Sequence, residues 1–560
     1  MCRKQLLLWL IPTLCFADPC ERVYKHLQLG DTKYASQLAS SALLEDESSQ
    51  ERWRAYLKTL AHDEQVKQAL KVFAQYRSRF PEIEEDFEII EEIAWSVIRK
   101  GNHSPSPLVR LYASIASVLS QDSRGVVLIR ERLEDKNATI RKVAASLSSH
   151  LPDHTIHEQM FNLLQTETNP EVRQALVKGL AKAKYDPLLP FLLGQMAKHQ
   201  TSHEELLLNI EAAITLTEEI NVHQIEWLAK SERAGLRALS CQLARAFEQR
   251  ESLPYIIPLM NDYHPSVRAA AIHTVGLLST QKIDRLGDRV PSVAILSAWA
   301  HTLQTPSRAE KLFSKWIDHP NQEVRIEAAA VLSRSGPSGA AAMRSFMHKT
   351  QDPYVKMTLA VGLIGEREDV SSACAAIQKG LSQIKGRLTT RPYEVGVAIV
   401  PSEFSDDQAL LNMPEVINQV TRLKLINLIS TVDSTWAHQA LKQFLKERSA
   451  AVTSLTLTML LSEGAELSID AIQECLNHES LEVRLQAALL IGSVLKDEAA
   501  ITLLHTHLPT AKRDLKLQII EGLGKVADKR SIPYLVDVLK EPLPTQQITA
   551  ASSILQCLNH

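Results

Sequence analysis

An all-α chain, built as one long array of stacked helical pairs, is the fold class that this 560-residue sequence predicts. Three observations carry it. Glycine supplies only 19 residues and aromatics 5% of the chain, while leucine supplies 78; such a composition disfavours sandwiches, propellers and glycine-loop nucleotide folds. The chain is 45% hydrophobic and 23% charged, which provides core material and excludes a disordered polymer. Finally, one short phrase returns at a near-constant period: Arg110 to Arg141 is 31 residues, Arg141 to Arg173 is 32, and Arg173 to Arg237 is 64, or two units of 32. A fixed period in this range is the signature of a solenoid.

The first element is a leader. Arg3 and Lys4 precede the apolar run Leu6–Leu14, and Cys15-Phe16-Ala17 places small residues at the positions that a signal peptidase reads, so cleavage is expected between Ala17 and Asp18. The run is too short for the ~30 Å hydrocarbon core of a bilayer. No later stretch is apolar enough to span a membrane. The expected destination is export, to the periplasm or the medium of a Gram-negative-type bacterium. Loss of Arg3 and Lys4 moves the formal net charge from -3 to -5, which is no footprint for nucleic acid. Five cysteines remain, Cys20, Cys241, Cys374, Cys475 and Cys557, with no CxxC pair. Four sit in helix-like apolar patterns as small hydrophobes. Cys20, near the chain end, is expected to be exposed and reactive.

Residues 18–103 are helical but lack the repeated phrase. Gln68-Ala69-Leu70 with Phe73, Tyr76, Phe80 and Pro81 resembles the second helix of a tetratricopeptide repeat, and a plain helical cap fits equally.

From residue 104 the phrase takes over: a turn rich in Asp, Asn and Pro, then Val-Arg, then alanines and leucines at helical spacing. Its clearest basic slots are Arg110, Arg141, Arg173, Arg268, Arg325, Lys356 and Arg484, with weaker copies at Arg237, Lys424, Thr453, Lys516 and Ile548. Proline near the start of the helix loses nothing by lacking an N–H. Val267, Ala271 and Val275 form an apolar stripe on one face. A lone helical pair would leave one flank bare, so neighbours must stack.

These features resemble HEAT repeats, of the short type also found in phycobilin lyases, over residues 104–560. The resemblance implies a first helix on the convex side and a second on the concave side. It further implies a ladder of Asp and Arg between the successive turns, with Arg110, Arg141, Arg173, Arg237, Arg268, Arg325 and Arg484 as its arginines. Lys356, Lys424 and Lys516 replace the planar guanidinium fork by a point charge and imply weaker rungs.

Two register breaks interrupt the array. From Arg268 to Arg325 is 57 residues, and from Lys356 to Lys424 is 68. The second holds an irregular insertion near 385–414, where Tyr393, Val395, Val397 and Ile399 alternate between Pro392 and Pro401. Period two with β-branched side chains predicts extended chain laid over one face of the solenoid, or merely a tolerated insertion.

Catalytic chemistry is not legible. There is no phosphate loop, HExxH or nucleophile elbow. His150, His154 and His157 have ligand-like spacing, but Pro152 interrupts them, and a solvated turn is expected. The HEAT-repeat di-iron hydroxylases use repeated His-Glu dyads. Here His157-Glu158, His203-Glu204 and His478-Glu479 recur out of phase with the period. No cofactor or metal is therefore expected. What remains is surface. Positions two and six after the valine slot should face the concave side: Leu111 and Ile115, Lys142 and Ser146, Gln174 and Lys178, Ala269 and His273, Ile326 and Ala330, Leu485 and Leu489. A groove with scattered apolar residues suits a protein or peptide partner, whereas a register shifted by one would make the same residues inter-repeat contacts. The expected function is a non-catalytic protein-binding scaffold or adaptor in the periplasm or envelope. The alternative is a HEAT-repeat enzyme or lyase-type cofactor handler, on fold-level likeness alone.

Overall fold

The computed structural model describes residues 18–559 except 83–84, 197–202, 280–286, 405–413 and most of 431–480. Ala17 and its leader, the slot at Thr453, Cys475, His478 and part of the 385–414 insertion lie outside the described residues. The chain divides into two compact units, one formed by Met1–Gly179 with Ile491–His560, the other by Leu180–Leu490. This division follows contacts in space and not the change of sequence pattern at residue 103.

The first unit begins with α1 (Pro19–Gln28), α2 (Thr32–Glu45), α3 (Gln50–His62), α4 (Val66–Arg79) and α5 (Phe87–Asn102). Aspartates open three of these helices by accepting otherwise orphaned N–H groups: Asp18 from Cys20, Asp31 from Tyr34 and Asp86 from Ile89. Alternate helices α1, α3 and α5 pack on one another. Cys20 does not stay exposed: it packs against Val23, Leu27, Ala35 and Ala39, and burial, with the Asp18 carboxylate nearby, pushes its thiol up to about 11. Packing of α2 and α3 on α1 covers this side chain, so Cys20 is a core hydrophobe and a poor nucleophile.

The array then starts with α6 (Pro107–Leu119), α7 (Ser123–Leu133), α8 (Ala138–Ser148), α9 (His154–Thr166) and α10 (Pro170–Lys182). Second helices stack: α6 packs on α8, and Gly179 of α10 lies against the Ala145 backbone of α8, where a Cβ would approach the Ala145 oxygen to 3.0 Å.

The C-terminal part of this unit holds α25 (Glu498–His507), α26 (Arg513–Val526), α27 (Ile532–Leu539) and α28 (Pro544–Asn559). Helix α28 is covered on both flanks, by α26 and α27 on one side and by α5 and α6 on the other. At Gly101 of α5 a Cβ would come 2.5 Å from Ile548 Cδ1, so glycine sets that approach. Asn559 Nδ2 donates to the Ser120 carbonyl at 2.7 Å. The last second helix thus stacks on the first one, an arrangement the sequence repeat did not signal. Burial of Thr545, Gln546, Thr549, Ser552 and Ser553 beside Ile548 and Ile554 follows from this double cover.

The second unit contains α11 (Leu188–Met196), α12 (His203–Leu216), α13 (Val222–Ala229), α14 (Ala234–Ala246), α15 (Leu253–Ile256), α16 (Pro265–Leu278), α17 (Pro291–Gln304), α18 (Ala309–Ile317), α19 (Gln322–Leu332), α20 (Ala340–Lys349), α21 (Pro353–Gly365), α22 (Val370–Gln383) and α23 (Pro414–Ser430), and α24 (Leu481–Leu495) spans its C-terminal boundary. Helices α12, α14, α16, α17, α19 and α21 pack in that order. The direct contact of α16 with α17 is where the 57-residue spacing falls.

The second break is a β-hairpin, β1 (Leu388–Pro392) and β2 (Val397–Pro401), paired antiparallel with Thr390 opposite Ile399. Tyr393 and Val395, read as part of one strand, instead sit in the connecting turn. The strand does not alternate in exposure either: Ala398, Ile399 and Val400 are all buried, because β2 packs on α19 and α21 while pairing with β1. Gly396 has φ +87°, and a Cβ there would fall 2.1 Å from the Ala330 oxygen. Gly396→Ala is therefore expected to lift the turn off α19 at a cost of about 1–3 kcal/mol, from a left-handed backbone and a steric clash together. Urea unfolding of the variant, with amide exchange at residues 393–400, checks this.

Candidate binding surface

Successive turns are held by a ladder of arginines whose geometry explains the repeated Val-Arg phrase. Arg110, Arg141, Arg173, Arg237, Arg268 and Arg325 reach back to the carbonyl six residues earlier, and Arg110, Arg141, Arg237, Arg268 and Arg325 also reach forward to a carboxylate in a following turn. Arg110 donates to the Ser104 carbonyl (2.9 Å) and forks onto Asp135 at 2.7 and 2.9 Å. Arg141 holds the Asp135 carbonyl and forks onto Glu167 at 2.7 and 3.0 Å. Arg173 donates to the Glu167 carbonyl. In the second unit Arg237 forks onto Asp262, Arg268 onto Asp288, and Arg325 onto Asp352. Arg484 donates to the Glu479 carbonyl. The carboxylates also organise their own turns: Asp135, Glu167, Asp262 and Asp288 accept the N–H two residues onward.

Sequence reading did not name these acids, although the signal was present: an Asp or Glu stands six residues before the slots at Arg141, Arg173 and Arg268. The lysine rung exists at Lys516, whose Nζ lies 2.6 Å from Glu541 and 3.5 Å from the Pro509 carbonyl. The last slot is Gln547 rather than Ile548. Its amide donates to the carbonyls of Leu539 and Glu541, while Ile548 is buried against α5.

The Arg141 fork holds the Glu167 carboxyl below the usual range. Burial alone would raise Asp135 and Asp262, but their arginines and turn N–H groups outweigh it, and both are lowered. The stability from a carboxyl depressed on folding is complete above its unfolded pKa and is lost as pH falls through the folded one. Melting temperature is therefore expected to hold above about pH 5 and to fall steadily below about pH 4, where the unfolded state takes up more protons. A pH series of thermal melts checks the sign, and a rise on acidification would contradict it.

The predicted face residues divide. On α6, Leu111 is half-buried and Ile115 exposed, and Leu108 (52%), Ile115 (39%) and Leu119 (47%) leave an apolar stripe. Lys142 on α8 is exposed and paired with Glu171 of α10, beside the exposed Gln174 and Lys178. These residues belong to the first unit. In the second unit His273 is half-buried, whereas Ile326 and Ala330 are fully buried. The β-hairpin accounts for Ala330, whose carbonyl lies under Gly396. Leu485 and Leu489 are buried too, so the expectation that they face the groove is corrected: on α24 these positions pack into the core.

The hairpin also brings together a polar cluster. Glu394 Oε1 lies 2.9 Å from His273 Nδ1 and 3.2 Å from an Arg245 guanidinium nitrogen, and that nitrogen is 2.6 Å from His273 Nδ1. The Trp299 ring meets His273 edge to face at 5.3 Å. Burial pulls the His273 pKa down, against the opposing pull of Glu394. Burial would raise Glu394, yet His273 and Arg245 bring it below its ordinary value. Among the described residues no three His, Cys, Asp or Glu side chains converge as a metal site would require. Nor is any helix among them long and apolar enough to cross a membrane.

Comparison with known proteins places the repeat. Residues 469–555 match HEAT repeats. No curated protein matches the chain. Among solved structures the chain is loosely similar to the karyopherin Kap121p bound to the extreme C-terminus of the protein phosphatase Cdc14p (11% identity, TM-score 0.32, 97% of this chain and 84% of that one). It is as loosely similar to the UNC-45 chaperone (12% identity, TM-score 0.32, 96% and 78%). Residues 469–555 thus resemble HEAT repeats, and the described residues form an all-α fold of stacked helices with one β-hairpin.

Proposed function

We propose that this chain is a non-catalytic protein-binding scaffold that acts after export, in the periplasm or cell envelope. The observation that carries the reading is the exposed stripe Leu108, Ile115 and Leu119 on α6, bordered by Lys142, Gln174 and Lys178 on the neighbouring second helices. A rigid backbone presenting apolar side chains with a polar rim is the composition of a protein-recognition surface. The charged-then-apolar leader ending at Ala17 supports export.

Crosslinking followed by affinity capture from an envelope fraction tests the proposal. A saturable macromolecular partner is the expected result, and Ile115→Asp should weaken its capture about tenfold or more by placing a charge in the apolar centre. Because Ile115 is exposed, the variant should melt with the parent chain. Recovery of no saturable partner would sink the scaffold reading.

A further inference from the structure

We propose that Arg245 and His273 form a carboxylate-recognition site on the second-helix face of the second unit. The partner it takes is a protein segment that presents a Glu or Asp side chain from a turn, in competition with Glu394 of the chain's own hairpin. The proposal rests on the protein-binding reading above and deepens it by naming the chemistry of one contact.

Glu394 already shows what the site accepts. One carboxylate oxygen sits within hydrogen-bond reach of both Arg245 and His273. The imidazole is held in place by the edge of Trp299, so the two groups are oriented before any ligand arrives. The hairpin does not depend on this contact for its seat. Its strands have their own anchors: the Ile399 N–H donates to Thr358 Oγ1 at 3.1 Å, the Leu388 N–H to Asn418 Oδ1 at 2.9 Å, and Arg391 pairs with Glu323. Buried Arg422 clamps the carbonyls of Ile384 and Gly386 where the insertion begins. The Glu394 side chain can leave the pair while the turn stays seated on α19 and the strands stay docked.

The closed cluster is also not fully satisfied. His273 Nδ1 lies close to Arg245 and to Glu394 at once. An imidazole nitrogen accepts from the guanidinium when it carries no proton and donates to the carboxylate when it does, and it cannot do both. One of the two contacts is therefore always unmade. The Glu394 side chain keeps about 31% of its surface exposed and Arg245 about 25%, so solvent and a competing carboxylate can reach the pair. A turn is the fitting form because the present occupant is the turn between two strands.

The test uses the full chain and a fluorescein-labelled heptapeptide with the sequence of residues 391–397, Arg-Pro-Tyr-Glu-Val-Gly-Val, followed by anisotropy. Glu394→Ala is expected to bind this probe about tenfold more tightly than the parent chain, the size of effect that vacating one charged contact gives. Replacing the probe's Glu by Gln, or adding Arg245→Ala to the chain, should remove that gain. Amide exchange of Glu394→Ala should show strands 388–392 and 397–401 still protected. Equal affinity of parent and variant, or binding indifferent to the probe's carboxylate, would overturn the proposal. Capture of the same envelope partner by the parent chain and by Arg245→Ala would overturn this site and leave the scaffold reading standing.

Discussion

Removal of α28 by truncation after Leu543 is expected to cost the first unit most of its cooperative stability, although the residues deleted lie at the far end of the chain from the helices that suffer. Helix α28 fills the flank of α5 and α6, and it takes Ile548, Ile554 and Leu555 out of water at 2% exposure or less. Full burial of such side chains contributes about 1.5–3 kcal/mol each, so three of them approach the whole stability of an ordinary domain, about 5–15 kcal/mol. The deletion also leaves the Ser120 carbonyl without Asn559. Amide exchange is the measurement. Helices α5 and α6 should lose protection along with α26 and α27, and α14 to α21 should keep theirs. Unchanged protection in α5 and α6 would show that the contact with α28 contributes nothing.

The second large effect is expected at the ladder. Arg237→Ala should destabilise the chain by about 3–5 kcal/mol, because it strands a carboxylate that the fold has already removed from water. The Arg237 and Asp262 side chains are 8% and 7% exposed, and the fork closes at 2.6 and 2.9 Å. Arg237 also donates to the Ser231 carbonyl and lies over the Tyr263 ring at 4.9 Å from its centroid. Arg237→Lys should recover part of the loss, since the lysine rung at Lys516 keeps one short carboxylate contact and only a 3.5 Å approach to a carbonyl. Lys142→Ala is the matching control. Its pair with Glu171 is exposed on both sides, and such pairs are worth about 0–1 kcal/mol. Urea unfolding of the three variants ranks them. A loss at Arg237 no greater than at Lys142 would remove the ladder from the account of stability.

Legibility of the fold in the sequence was uneven for identifiable reasons. The period, the second helices and the arginine slots could be read because each repeat solves the same local problem: a turn, a cap and an apolar stripe within about 31 residues. The family resemblance implied aspartates facing the arginines, but which acids they are was not assigned because the two partners lie in different turns, 25 residues apart for Arg110 and Asp135 and 20 for Arg268 and Asp288. Cys20 was misplaced because nearness to a chain end says nothing about what folds over it. Positions two and six after the valine slot face outward on α6, α8 and α10 but inward on α24. A rule of helical phase states which way a side chain points, and not whether something else covers it.

The sequence by itself determined the all-α class, the repeating unit and the chemistry of its turns. Those follow from short-range periodicity and from which residues tolerate a cap or a helix start. Only the tertiary structure decided that α28 closes on α5 and α6, that the hairpin covers part of the second-helix face, and that Glu394 meets His273 and Arg245. These contacts join residues from 41 apart, at Thr358 and Ile399, to 439 apart, at Ser120 and Asn559, and no local pattern encodes them because their energy comes from surfaces that meet only after each segment has folded.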